Sequence, residues 1–501
     1  MAESPNFIVV LADDLAIWAL GCYGNPEIRT PHIDELAADG VRLTDFYCTS
    51  PVCSPARASL LTGKMPSQHG VQDWIRRGNG GPGDESIGYL DGHRAYTEVL
   101  SENGYVCGLS GKWHLGDSPR AQKGNSHWFA HPGGGGRYHD APMYRDGEFV
   151  ETEGYLTDVI TDDAISFLRA HGTGEAPFHL SVNFTAPHSP WVDQHPADIV
   201  DSYADCAFES CPQEPRHPWI KSHPIELDYS ELNASPERGV PTVREQLQGY
   251  FAAVTALDQC VGRLRREVRE LGIEDDTLFI FTSDNGFNCG QHGIWGKGNA
   301  TFPANMYDSS VKVPLIAAMP SRIGRGGVVE SLLSGYNFMP TILEMAGLAH
   351  ETPEGLPGRS FAPQLVGEAA SPDHPVVVYD EFGPTRMIRD RSWKYVHRYP
   401  YGPHELYDLE ADPGERINLL EDRRMLDRAE QDRADRADTM LAALERWFAV
   451  FADPQLDGRS QAVTGRGQLA RVGEPGVRAF HGLEAAKEMN DASLVAPKAR
   501  P

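Results

Sequence analysis

The sequence has no apolar run approaching the roughly 20 residues that a bilayer-spanning helix needs. Its start, Met1-Ala2-Glu3-Ser4-Pro5-Asn6, lacks the basic cluster and long apolar stretch of a secretory leader, so a cytoplasmic location is expected. Basic residues are scarce: 45 Lys and Arg against 71 Asp and Glu give a formal net charge of −26. Such a field disfavours nucleic acid and anionic membranes as partners, although a local basic pocket can still hold a small anion. Cysteines number eight in 501 residues, and none form a Cys-x-x-Cys pair. Reduced, mostly buried thiols are expected, and a thiol-redox role for Cys53 lacks a resolving partner at thioredoxin-like spacing. There is no internal repeat.

What is present reads as an α/β chain. Its length exceeds one compact core, so one large and one smaller domain are expected. Continuous apolar runs predict buried strands at 7–11, 105–109, 178–184, 277–282 and 313–318. Helices are predicted at 32–38 and 96–102, stopped by Gly40 and by Asn103-Gly104. Leu247, Tyr250, Phe251, Val254, Leu257, Val261, Leu264, Val268 and Leu271 recur at three and four residues, one face of a long amphipathic helix. The expected fold is a large mixed, mostly parallel central sheet flanked by helices. After Pro375 short antiparallel strands are expected at 376–379, 385–389 and 393–397, with a closing helix marked by Met440, Leu444 and Phe448. The domain boundaries are therefore placed at 1–375 for the large domain, 376–453 for a small α+β domain and 454–501 for an extended tail. Segments 120–150 and 190–240, rich in Gly, Pro, His and Trp, are expected as long surface loops.

Two predicted strands end alike. Residues 7–11 run into Asp13-Asp14, and 277–282 run into Asp284-Asn285-Gly286. Ligands of open α/β sheets bind beyond the carboxyl ends of strands. Four oxygen-bearing side chains there can cage a hard cation, and all-oxygen ligation favours Ca²⁺ or Mg²⁺, with Mn²⁺ a further candidate, over zinc. Each pair alone can equally cap a helix or turn. Three further strand ends deliver Lys112 and His114, then His188, then His292 and Lys297. Lysines and histidines converging on one edge suit a tetrahedral anion and proton transfer.

The segment Cys53-Ser54-Pro55-Ala56-Arg57, followed by Ala58 to Lys64, resembles the signature of the type I sulfatases, a branch of the alkaline phosphatase superfamily. The resemblance continues through Asn6 to Asp14, Pro31-His32-Ile33-Asp34, Gly111 to Gly116, Ala186-Pro187-His188, Ser283 to Gly286, Gly296-Lys297 and Glu405 to Leu409. It covers roughly residues 6–420 in the family's order. It implies an alkaline phosphatase-like fold and hydrolysis of sulfate esters. It also implies that a separate formylglycine-generating enzyme oxidises Cys53. Asp13, Asp14, Asp284 and Asn285 would hold Ca²⁺ together with an oxygen at position 53. Arg57 and His114 would stabilise the formylglycine hydrate, Lys112 and Lys297 would contact sulfate, and His188 would lie near the leaving oxygen. Lys64 is implied as support for Arg57, and His292 as a further candidate.

The nearest competing activity is a phosphodiesterase or phosphonate monoester hydrolase using the same formylglycine site, since both ester classes are tetrahedral. A non-catalytic binding protein on the same fold is disfavoured by the intact set of site residues. Specificity is expected from Asp73, Trp74, Arg76 and Arg77, the Gly133 to Gly136 run with Arg137, Tyr138 and His139, and Trp191 and Trp219. A sulfated carbohydrate or small aryl sulfate is the expected substrate.

Overall fold

The computed structural model describes residues 4–480, apart from 82, 221–240, 370–372, 381–383, 422–427, 461–462, 464 and 475. A ten-stranded sheet organises the chain. Its strands are β1 (Asn6–Ala12), β2 (Val41–Leu43), β3 (Val106–Lys112), β4 (His127–His131), β5 (Pro142–Arg145), β6 (Glu148–Glu151), β7 (Phe178–Asn183), β8 (Thr277–Ser283), β9 (Leu315–Ala318) and β10 (Gly327–Val329). They run in the order β10-β2-β9-β8-β1-β7-β3-β4-β5-β6. The central five, β8-β1-β7-β3-β4, are parallel, so their carboxyl ends share one edge. Strand β9 is antiparallel to both its neighbours, and β5 and β6 continue from β4 as antiparallel ribbons.

The sheet is covered on both faces, which is why β1 is apolar from Phe7 to Ala12. Ile8, Val10 and Ala12 point into a core with helices α1 (Pro31–Asp39), α4 (Leu156–His171) and α5 (Val243–Glu270). Phe7, Val9 and Leu11 point into the opposite core with α2 (Cys53–Thr62), α3 (Tyr96–Glu102) and α6 (Phe338–Met345). Helix α5 carries the predicted apolar face, and a Thr242–Glu245 capping box fixes its start.

A four-stranded antiparallel sheet follows: β11 (Val376–Asp380), β12 (Thr385–Arg389), β13 (Trp393–Arg398) and β14 (Glu405–Asp408). Val376, Val378, Met387 and Val396 join the core beneath β1. Val377, Tyr379, Ile388 and Tyr395 face Met440, Leu444 and Phe448 of helix α7 (Arg428–Phe451). The small sheet is thus sandwiched between the main core and its own helix.

Several expectations are corrected. The 105–109 strand extends to Lys112, because Ser110 and Gly111 are buried and a Cβ on Gly111 would lie 2.0 Å from the Asn183 carbonyl oxygen. The region 120–150 is not simply loop: it holds β4, β5 and β6. The histidines and tryptophan of β4 disguise a buried strand, and Trp128 satisfies its indole N–H on the Ser118 carbonyl at 2.7 Å. Strand β14 had no periodic pattern to announce it. Of the 190–240 segment, 221–240 lies outside the described residues, and the rest carries only the short helix Ala197–Asp201. In the expected tail, Gln468 pairs with Ile75, while 481–501 lies outside the described residues.

Candidate active site

The parallel strand ends bring the sequence-identified residues together. Asp13 and Asp14 leave β1, Asp284 and Asn285 leave β8, and Lys112 closes β3. Cys53 is the first residue of α2, so the positive end of the helix faces this edge. Arg57, one turn further, donates through Nε to Asp284 Oδ2 at 2.8 Å and through Nη1 to the Lys112 carbonyl at 3.1 Å. Lys112 Nζ reaches Asp13 Oδ2 at 2.5 Å. Lys297 Nζ reaches Asp14 Oδ1 at 2.5 Å and Cys53 Sγ at 2.7 Å. Cys53 Sγ lies 3.4 Å from Asp13 Oδ1. His188 Nε2 is 3.7 Å from Asp14 Oδ2.

All of this is buried except Lys297, whose side chain is 12% exposed, and His188, whose side chain is 25% exposed and marks the way in. Burying an ion costs on the order of several kcal/mol even when it is paired, so the cluster is a poor device for stability alone. Burial would raise the Asp13 carboxyl, but Lys112, His188, Arg57 and Lys297 outweigh it and hold Asp13 far below the usual carboxylate range. Burial, with Asp13 beside it, raises Asp284 to about 6. Burial and Asp13 likewise push the Cys53 thiol up to about 12, against Lys112 and Lys297. The unmodified thiol is therefore protonated and a poor nucleophile.

His114 donates from Nε2 to the Ile75 carbonyl at 3.0 Å. A carbonyl only accepts, so Nε2 carries the proton and Nδ1 is the acceptor. Burial, then Lys112 and Arg57, holds the ring well below its ordinary pKa and neutral. Three buried polar atoms here have no hydrogen-bond partner among the described residues: Arg57 Nη2, His114 Nδ1 and Asn285 Oδ1. Buried polar groups are rarely left unpaired. Arg57 Nη2 offers a donor, His114 Nδ1 an acceptor and Asn285 Oδ1 an oxygen that can ligate a cation. Asp13, Asp14 and Asp284 place carboxylate oxygens within 4.8 Å of one another, and Asp13, Cys53 and His188 form an overlapping group. A hard cation fits this donor set.

Comparison with known proteins identifies the family. The sulfatase family model matches residues 5–348. The chain belongs to the sulfatase family. It is a sulfuric ester hydrolase. A second model, N-sulphoglucosamine sulphohydrolase C-terminal, matches residues 290–436 of this sulfatase. N-acetylglucosamine-6-O-sulfatase of Bacteroides thetaiotaomicron is 27% identical over 489 residues, covering 83% of each chain. Arylsulfatase A of Homo sapiens is 29% identical over 458 residues, covering 84% of each chain. A solved structure in complex with its substrate, D-glucosamine-2-N,6-O-disulfate, superposes with a TM-score of 0.75 at 25% identity, covering 91% of this chain and 99% of its own.

The remaining candidates of the sulfatase sort differently. Lys64 contacts His93 Nδ1 at 3.2 Å and makes no bond to Arg57. His292 stacks on Tyr307 with ring centroids 3.7 Å apart, outside the cluster. Tyr138 is buried, and its hydroxyl faces the carbonyls of His188 at 2.7 Å and Thr185 at 3.1 Å, bracing the His188 turn. Trp191 braces the same turn by donating to the Pro187 carbonyl at 2.7 Å. Arg137 pairs with Glu151 at 3.5 Å, His139 is exposed, and Trp219 lies under Arg398. The glycine run lies across both catalytic-edge histidines. A Cβ on Gly134 would sit 2.4 Å from His114 Cε1, and one on Gly135 would sit 2.9 Å from His188 Nδ1.

Sequence reading missed His131. It pairs in register with Lys112 at the end of β4, and its Nδ1 lies 3.0 Å from the Gly133 carbonyl. Burial pushes it down to about 4, with Lys112 acting in the same direction. Its position four residues before Gly135, at the close of an unrecognised strand, was the only available signal.

Proposed function

We propose that this sulfatase hydrolyses sulfate esters of carbohydrates, using a formylglycine made from Cys53 and a Ca²⁺ held by Asp13, Asp14, Asp284, Asn285 and an oxygen at position 53. The observation that carries this reading is the ring of unpartnered atoms, Arg57 Nη2, His114 Nδ1 and Asn285 Oδ1, around a thiol too weakly acidic to act itself. The N-acetylglucosamine-6-O-sulfatase relative and the neighbour complexed with a glucosamine disulfate support the carbohydrate class. A formylglycine-generating enzyme is the implied maturation partner.

When present, the cation supplies a Lewis acid for the ester oxygens. When present, the formylglycine hydrate supplies two hydroxyls, one to attack sulfur and one whose loss of a proton expels sulfate and restores the aldehyde. The chain's own residues do the rest. Lys112 and Lys297 keep unused N–H donors, and with Arg57 Nη2 they neutralise charge growing on the sulfate oxygens. His114 Nδ1, the free acceptor of a neutral ring, takes the hydroxyl proton at position 53. His188 donates its Nδ1 proton to the Ser189 carbonyl at 2.7 Å, which directs Nε2 toward the opening. In the imidazolium form, Nε2–H protonates the departing alkoxide of a sugar, a poor leaving group that needs an acid.

The test is turnover by matured protein of a monosulfated hexosamine, an aryl sulfate and an aryl phosphodiester, before and after chelation. Sulfate ester turnover that chelation abolishes and Ca²⁺ restores is expected. Preference for the phosphodiester, or chelator-insensitive turnover, would overturn the reading.

A further inference from the structure

Ile75 links the site to its rim. Its carbonyl accepts from His114, and its N–H donates to Ser54 Oγ at 3.0 Å, beside Cys53. The next two residues, Arg76 and Arg77, are exposed. Arg77 makes no side-chain hydrogen bond or ion pair among the described residues. Arg76 gives one N–H to the Arg466 carbonyl at 3.3 Å and retains its other donors.

The backbone that carries this pair of arginines is hydrogen-bonded to the tail. The tail returns from far along the chain to pair Gln468 with Ile75. Arg76 N–H donates to the Gln468 carbonyl at 2.9 Å, and Gln468 N–H donates to the Trp74 carbonyl at 2.7 Å. The Gln468 side chain is fully buried, accepting from Gln72 N–H at 2.9 Å and donating to the Gly70 carbonyl at 3.0 Å. Gly467 N–H donates to Asp73 Oδ2 at 3.1 Å. Gly467 itself has φ +94, and a Cβ there would lie 2.6 Å from Arg76 Cβ. The tail and the 72–76 segment fit each other closely at that point.

A chain of net charge −26 repels any multiply charged anion at long range. A singly sulfated, otherwise neutral ligand is served by Arg57, Lys112 and Lys297 alone. Adjacent exposed guanidinium forks, on the two residues that follow the carbonyl bonded to His114, serve a further anionic group on the same molecule.

We infer that Arg76 and Arg77 form a lip that recognises a second negative group, sulfate or carboxylate, on the same substrate molecule, making the substrate a multiply anionic glycan. This rests on the sulfatase reading. The described tail, through Gln468 and Gly467, holds the lip in place.

The test compares three disaccharides that share one cleavable sulfate: one with no other charge, one with a second sulfate and one with a carboxylate. In matured wild-type protein kcat/KM is expected to favour the doubly charged substrates, and the favoured one identifies the second group. In Arg77→Ala that preference ratio falls about tenfold or more, the size of losing a charge-assisted hydrogen bond, and the change resides in KM. Arg77→Glu lowers it further, and raising salt narrows the wild-type ratio. Arg76→Ala is the companion variant; because Arg76 packs under the tail, Arg77 keeps the test valid if that variant folds poorly. Equal losses on all three substrates, or an unchanged ratio, overturn the lip. Calorimetric binding of the disulfated disaccharide needs no turnover. Arg77-dependent binding without hydrolysis would sink the sulfatase reading and leave the lip standing; binding indifferent to Arg77 would sink the lip.

Discussion

His114 Nε2 lies 3.0 Å from the Ile75 carbonyl oxygen, and that bond decides which ring nitrogen is left as an acceptor. Because the carbonyl accepts a hydrogen bond from Nε2–H, the proton stays on Nε2 and Nδ1 is presented as a base. Replacing His114 with Ala should lower kcat on the order of 10²–10⁴-fold, the usual worth of a positioned proton acceptor. KM should change far less. A loss confined to KM, in steady-state kinetics, would remove His114 from proton transfer.

The glycine run offers a steric test. Gly134 has no room for a side chain against His114, whereas a Cβ on Gly133 would meet nothing closer than the Gly135 carbonyl oxygen at 4.0 Å. Gly134→Ala should therefore cut kcat at least about tenfold by displacing the ring, while Gly133→Ala should stay within about twofold. Equal effects from the two variants would show that contact with His114 is not what the run provides.

Asp284 gives a pH signature. Burial and Asp13 raise its carboxyl to about 6, so protons compete with a cation there. A folded pKa above the unfolded value of about 4 stabilises the metal-free protein below about pH 4, and that contribution is lost as pH rises through about 6. Cation binding offsets the loss. The Tm gain on adding Ca²⁺ should be larger at about pH 7.5 than at about pH 5. Asp284→Asn should shrink the gain, flatten its pH dependence and lower bound metal by elemental analysis. A gain that ignores both pH and this substitution contradicts the ligand assignment.

The parts of this protein that were legible in its sequence are those coded locally. Asp13, Asp14, Asp284 and Asn285 follow runs so apolar that their strand ends are plain, and parallel pairing of β1 with β8 then forces the two pairs together. Helix α5 was plain for the same reason, an uninterrupted apolar face. Strand β4 was hidden because three of its five residues are His127, Trp128 and His131, types that also populate loops, and His131 was lost with it. Lys64 was named through resemblance and His292 from its place beyond a strand end, yet their partners are His93 and Tyr307. The contacts of Gly134 with His114 and of Gln468 with Ile75 join segments far apart in sequence, and no local pattern encodes them.

The central claim is that Cys53 is converted before it acts. The most direct measurement is the mass of the tryptic peptide 43–57, with Cys53 and Arg57 at its end, from protein coexpressed with a formylglycine-generating enzyme. It is read against sulfate ester turnover of the same sample. Aldehyde in place of the Cys53 thiol, with turnover proportional to the converted fraction and absent from Cys53→Ser, is the predicted result. Full turnover from protein whose Cys53 remains a thiol would contradict the account.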